Sequence, residues 1–233
     1  MPHTLWGWRL QDLAATLLAL SLVLLWDFSG ADLPLSRLFG DAEGFAWRTH
    51  GFTDTVLHNG GRWLGALVLG TLLLNLVRPW TPALTAPQRW AWAGATVALL
   101  LLVPALKQFS LSSCPYELAE FGGVARYVSH WRWGVADGGP GHCFPSGHAT
   151  SALAFVGGYF ALRQRYPMAA RWWLATVLAL GALYGWAQLA RGAHFASHTL
   201  WSAWLCWTGA LLMLGRQPVA QRSVPTPGLQ ATP

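Results

Sequence analysis

The chain has 233 residues, of which 54% are hydrophobic, 16 are Trp and only 10% are charged, against the ~25% charged content of an ordinary soluble domain. That composition excludes a typical water-soluble fold. The formal net charge of +6 does not point to nucleic acid, because the arginines sit in short connections beside apolar runs, where they act as topology signals.

In chain order, apolar stretches close to the ~20 residues that span a bilayer core fall at about 11–28, 62–79, 90–106, 148–163, 172–188 and 199–215. The pattern predicts an all-α polytopic membrane protein with six transmembrane helices. Residues 1–216 form one integral-membrane domain. The first stretch reads as an uncleaved anchor: Ser29-Gly30-Ala31 is a weak cleavage site and Asp27 interrupts the approach to it. With the N-terminus cytoplasmic, the inner connections hold Arg78 and Arg89, then Arg163, Arg165 and Arg171, then Arg216 and Arg222, with no acidic residue among them. This is the positive-inside bias. It places both termini in the cytoplasm and the other loops on the outer face.

The first outer connection, about 29–61, carries "LFGDAEGFAWRTHGF", whose aromatic and charged mixture suits a segment lying at the membrane interface. The second, about 107–147, is the longest and contains Lys107, Arg126, His130, Cys114 and Cys143; the third is the short "ARGAHFASH". The Pro-, Thr- and Gln-containing tail from Gln217 onward has no apolar periodicity and is expected to be disordered. Unusual polar residues therefore gather on one side, in two loops.

In "CFPSGHATS", residues 143–151, Pro145 and Gly147 break the chain just before an apolar helix. Ser146 and His148 then sit at a helix N-terminus, whose unpaired N–H groups favour an anion; Ser146 as a plain N-cap is the simpler reading of that position alone. In "RGAHFASH", His194 and His198 are four apart and share a helical face, and Arg191 precedes His194 by three positions.

Together, "KQFSLSSCP", "FPSGH" and "GAHFASH" resemble the type-2 phosphatidic acid phosphatase superfamily, the integral-membrane relatives of acid phosphatases and vanadium haloperoxidases. Its signatures are Lys-x6-Arg-Pro, Pro-Ser-Gly-His and Ser-Arg-x5-His-x3-Asp. The resemblance runs from Lys107 to His198 and implies a six-helix membrane phosphatase with its site outside. By position it makes Lys107 the phosphate-binding lysine, Ser146 and Gly147 the phosphate cradle, His148 the general acid and His194 the nucleophile. It implies no metal and no cofactor, and a lipid phosphate or diphosphate as substrate; undecaprenyl diphosphate, phosphatidylglycerol phosphate, phosphatidate and lipid A phosphates are all handled by relatives.

Three positions depart from the signatures: Cys114 and Gln188 stand where the family has Arg, and His198 where it has Asp. Arg191 is the natural substitute cation, with Arg126 second. His198, while neutral, can orient His194 by accepting a hydrogen bond from it through an unprotonated ring nitrogen, which fixes its tautomer; Glu117 is the alternative carboxylate. Cys114 and Cys143 lie in one outer loop, where an oxidising periplasm permits a bridge. Cys206 reads as a buried small hydrophobe. Two other readings compete. A zinc centre would take His194 and His198 with Cys143, His142 or Cys114, although Lys107 and Arg191 would repel a cation. A non-catalytic lipid-phosphate binder or a lipid phosphotransferase would share the same loops. His58, in "HNGGR", reads as a turn histidine before Asn-Gly, and the Trp-rich segments as interfacial anchors and packing residues.

Overall fold

The computed structural model describes residues 3–216, with side chains from Leu10 onward; the expected disordered tail, 217–233, lies outside the described residues. Helix α1 runs His3–Ser29 and the short α2 Asp32–Ser36, followed by a two-residue hairpin, β1 Gly40–Asp41 paired antiparallel with β2 Gly44–Phe45. A π-helix, Phe52–Gly60, continues without a break into α3, Gly61–Val77, and α4 spans Ala86–Lys107. Beyond the long outer loop come α5 Gly147–Leu153, a 3-10 turn Ala154–Val156, α6 Gly157–Leu162, α7 Pro167–Ala190 and α8 Ala196–Leu214.

The six apolar stretches are mainly helical, and among the described residues four helices, Leu10–Ser29, Phe52–Val77, Ala86–Lys107 and Pro167–Ala190, are long and apolar enough to cross a membrane, against the six expected. The stretch expected at 148–163 differs: it is split by the 3-10 turn, and nearly all of it is buried among the other helices. Two consecutive glycines, Gly157 and Gly158, follow the turn, and a Cβ on Gly158 would stand 2.3 Å from the Trp173 indole nitrogen. The chain trades regular helix for contact with α7 at that point. The segment expected to start at 62 begins ten residues earlier, because the π-helix carries the axis of α3 outward.

Local sequence explains the helix ends that matter. Helix α4 starts at a capping box, Thr85 accepting from Gln88 N–H at 3.4 Å while Gln88 Oε1 accepts from Thr85 N–H at 2.8 Å. It ends at Lys107, a cation placed where the helix dipole is negative. Helix α7 ends in Gly192, whose φ of +67° belongs to the left-handed region that glycine adopts freely. Gly192, Ala193 and His194 N–H groups all turn back onto the last turn of the helix, at 2.9, 2.8 and 3.2 Å.

The core lies between α4, α5, α6, α7 and α8, around Trp92, Leu99, Leu153, Phe155 and Cys206, the last a buried free thiol. Helix α1 packs on α8, with Trp204 and Trp207 donating to Thr16 at 3.1 and 2.8 Å. Arg163 Nη1 meets both oxygens of Asp12 at 2.8 Å, in a pair almost wholly buried. The opposite face of α1 exposes Leu10, Leu13, Leu17, Leu18, Leu22 and Leu25, an apolar surface of the kind hydrocarbon covers. A second small core of Phe45, Leu118, Phe121, Ala125 and Phe195 joins the 29–61, 107–147 and 191–195 loops.

Candidate active site

The start of α5 is built by Ser146. Its side-chain oxygen caps the helix by accepting from Ala149 N–H at 3.5 Å, its own N–H donates to the His198 carbonyl at 3.1 Å, and its carbonyl accepts from Ser202 Oγ at 2.9 Å. The N-termini of α5 and α8 are thereby tied together, immediately after a cis Phe144–Pro145 bond. Ser146 serves as cap and tie, fully buried, whereas Gly147 reaches the cavity described below.

Helix α8 opens on a second buried tie. Asp32, from α2, accepts from Ser197 N–H at 3.0 Å and from the Ser197 hydroxyl, which holds the first turn carrying His198. His194 and His198 meet, with the two Nδ1 atoms 3.3 Å apart, although His194 stands before the N-cap Phe195 of α8 and not on one helical face with His198. One of these nitrogens donates and the other accepts. If His194 Nδ1 carries the hydrogen, His194 Nε2 keeps the lone pair and His198 Nδ1 takes the hydrogen bond. Burial, then the charge of Lys107, then His148 hold the His194 imidazole well below its ordinary 6.5, so the neutral, nucleophilic ring is the resting form.

A cavity of about 610 Å³ opens beside these rings. Lys107 from α4, Gly147 and His148 from α5, and His194 border it, so the Lys-to-His order of the three sequence segments closes into one site. Nε2 of His148 is buried without a hydrogen-bond partner among the described residues. The cavity is also bordered by His58 and Arg62, and by Gln188.

Three expectations change. His58 is not in a turn: the π-helix carries it over His148, ring centroids 4.3 Å apart, and Gln188 Nε2 lies 3.4 Å from its Nδ1. Single π-helical turns concentrate at functional sites, but residue identity alone does not announce one. Arg191 does not border the cavity: its Nη2 is 2.6 Å from Asp54 Oδ1 and its Nε donates to the Arg48 carbonyl at 3.0 Å. Its position at the end of α7 directs it to the π-helix rather than to His194. Glu117 accepts from Cys114 N–H at 2.6 Å and caps its own turn, and Arg126 is likewise not among the cavity residues.

Cys114 and Cys143 are joined by a disulfide. Their sulfurs and a His194 nitrogen all lie within 4.8 Å of one another, which brings together three of the residues, though not His198, that the zinc alternative draws on. A disulfide offers no thiolate, the form in which cysteine binds zinc, so these residues as bonded do not fit a metal centre. His142, the other ligand of that reading, turns through a φ of +54° and sets its Nδ1 3.4 Å from the Lys107 carbonyl. The bridge closes a 29-residue separation, which in the chain-entropy account contributes about 3–4 kcal/mol. Replacing both cysteines by serine is expected to lower unfolding free energy by about that amount, measured by thermal or denaturant unfolding in detergent, with Cys206→Ser as the unbridged control.

The fold and site define a class: a helical, membrane-type chain in which two histidine-bearing helix starts and a lysine face one cavity. The profile of the PAP2 superfamily matches residues 89–221, more than half of the chain, and the chain belongs to that superfamily. Its members are generally phosphoesterases. No curated protein and no solved structure matches the chain.

Proposed function

We propose that the chain is a six-span membrane phosphatase that hydrolyses a lipid phosphate or diphosphate, without metal, through a phosphohistidine on His194 at the outer, periplasmic face of a bacterial inner membrane. One observation carries the lipid reading. The cavity holding Lys107, His148 and His194 continues between α3 and α4 along Leu69, Leu100 and Pro104. Leu100, Pro104 and Lys107 are spaced four and three apart on α4 and so share one face. That face grades from apolar to cationic, as an amphiphile does from chain to headgroup.

The chemistry follows from the nitrogens. His194 Nε2 attacks phosphorus in line, an N–P bond forms, and the ester or anhydride P–O bond breaks. The departing oxygen takes a proton from His148. In the second step His148 takes a proton from water, the water oxygen bonds to phosphorus, the N–P bond breaks, and inorganic phosphate leaves. His194 Nδ1–H remains on His198 throughout, so the charge gained at phosphorylation is shared along the pair. Lys107 and the N–H groups at the start of α5 meet the equatorial oxygens.

Purified protein treated with chelator is expected to release phosphate from chain-bearing substrates well above the rate for a soluble ester of the same headgroup. Equal rates for both, or dependence on added metal, would overturn the reading. A pH profile provides a separate check. Because His194 attacks only when unprotonated, and burial and the Lys107 charge lower its proton affinity from the ordinary 6.5, its protonation is expected to reduce kcat/KM only well below pH 6.5, and Lys107→Gln is expected to move that acid limb upward. The need for a protonated His148 supplies the other limb, so kcat/KM is expected to fall as pH rises.

A further inference from the structure

Phosphoryl transfer spreads negative charge over three equatorial oxygens, and cations with fixed donors around them supply most of the stabilisation. In this chain both signature arginines are absent: Cys114 is in the disulfide and position 188 is a neutral amide. The nearby substitute, Arg191, is held by Asp54 and the Arg48 carbonyl. Lys107 alone, a point charge with no planar fork, would leave the site short of donors.

We propose that the segment His58–Arg62, "HNGGR", completes the phosphate site, Arg62 as the guanidinium clamp and His58 as a neutral N–H donor; the inference rests on the phosphatase reading and deepens it. Arg62 stands on the first turn of α3 and borders the same cavity as Lys107, His148 and His194. Its side chain is exposed at the mouth, and no carboxylate pairs with it among the described residues. Gln188 and His58 act as a unit. The amide nitrogen of Gln188, 3.4 Å from His58 Nδ1, can only donate, so that ring nitrogen accepts and the neutral ring carries its hydrogen on Nε2. The stack of His58 on His148 keeps that donor beside the general acid.

Packing shows how this segment reaches the site. A Cβ on Gly61 would meet the Tyr184 ring at 2.8 Å, and one on Gly65 would meet the Ser151 carbonyl oxygen at 2.9 Å. Two glycines four apart let α3 lie directly against α7 and α5. That close approach draws His58 and Arg62, on either side of Gly61, onto the mouth of the cavity.

The test is calorimetric titration of the full chain in detergent with inorganic phosphate, alongside kinetics on the best lipid phosphate. Arg62→Ala is expected to weaken phosphate binding roughly 10- to 100-fold, the scale of a charge-assisted contact, and to raise KM by a similar factor. Arg62→Lys should recover part of the loss, and adding Gln188→Arg to Arg62→Ala should recover part by restoring a guanidinium from α7. Unfolding temperatures within experimental error of the parent, expected for an exposed first-turn residue, exclude a folding cause. Phosphate binding by Arg62→Ala within about twofold of the parent, or no phosphate binding by the parent, would overturn the proposal. The first result beside a dead His194→Ala leaves the phosphatase reading standing, whereas no phosphate release from any lipid by the parent defeats that reading itself.

Discussion

Replacing His194 by alanine should lower kcat for phosphate release by about 10³-fold or more, the loss expected when the group that forms the covalent intermediate is removed. His194 borders the cavity, its Nδ1 is engaged by His198, and only Nε2 remains to attack. The variant should also fail to retain label from a phosphate-labelled substrate, which separates loss of the nucleophile from loss of binding. His198→Ala is the informative companion. It removes the hydrogen-bond acceptor that selects the His194 tautomer, so its defect should be smaller and should appear in kcat rather than KM. Equal turnover by His194→Ala and the parent would remove the phosphohistidine from the mechanism.

His148→Ala should cost roughly 10²–10⁴ in rate on a lipid phosphate, the usual contribution of a placed acid. Its size should depend on the leaving group. An alkoxide needs the proton that His148 gives, whereas a nitrophenolate leaves without one. With an aryl phosphate the first step should therefore survive in the variant, and only the attack of water on the phosphohistidine should slow. Phosphoenzyme should then accumulate after a burst of phenolate, measurable by rapid mixing. A variant equally impaired with both leaving groups, and showing no burst, would place His148 in binding rather than in proton transfer.

Much of this arrangement is legible in the linear sequence because it depends on local periodicity and short motifs. Six apolar stretches read as spanning helices; all six are mainly helical, but four are long and apolar enough to cross a membrane and one is split by a 3-10 turn, since burial and hydrocarbon reward the same side chains. The rings of His194 and His198 come together although only His198 is on α8: His194 stands just before the N-cap Phe195, held there by its N–H on the Gln188 carbonyl. Directions were harder to read than positions. Arg191 lies three residues before His194, yet the end of α7 turns its side chain towards Asp54, a partner more than a hundred residues away in the chain. His58 reads as a turn residue because Asn59, Gly60 and Gly61 are turn formers; in the fold His58, Asn59 and Gly60 belong to the π-helix and Gly61 opens α3, where it allows the close approach of Tyr184. A histidine and an arginine four apart, at the outer end of an apolar run, were the available signal. The break at Ala154–Val156 has no sequence marker beyond the paired glycines after it.

The bridge between Cys114 and Cys143 links chemistry to address. Disulfides persist only in oxidising compartments, and this one lies against the proposed nucleophile. A copy inserted upside down would keep both thiols reduced, beside a cationic lysine, and would be open to alkylating reagents. Correctly inserted copies would be silent to the same reagents. On the proposed topology the state of two sulfur atoms would report which way each molecule faces, and the candidate pocket would take its oxidised form only in molecules that reached the oxidising side.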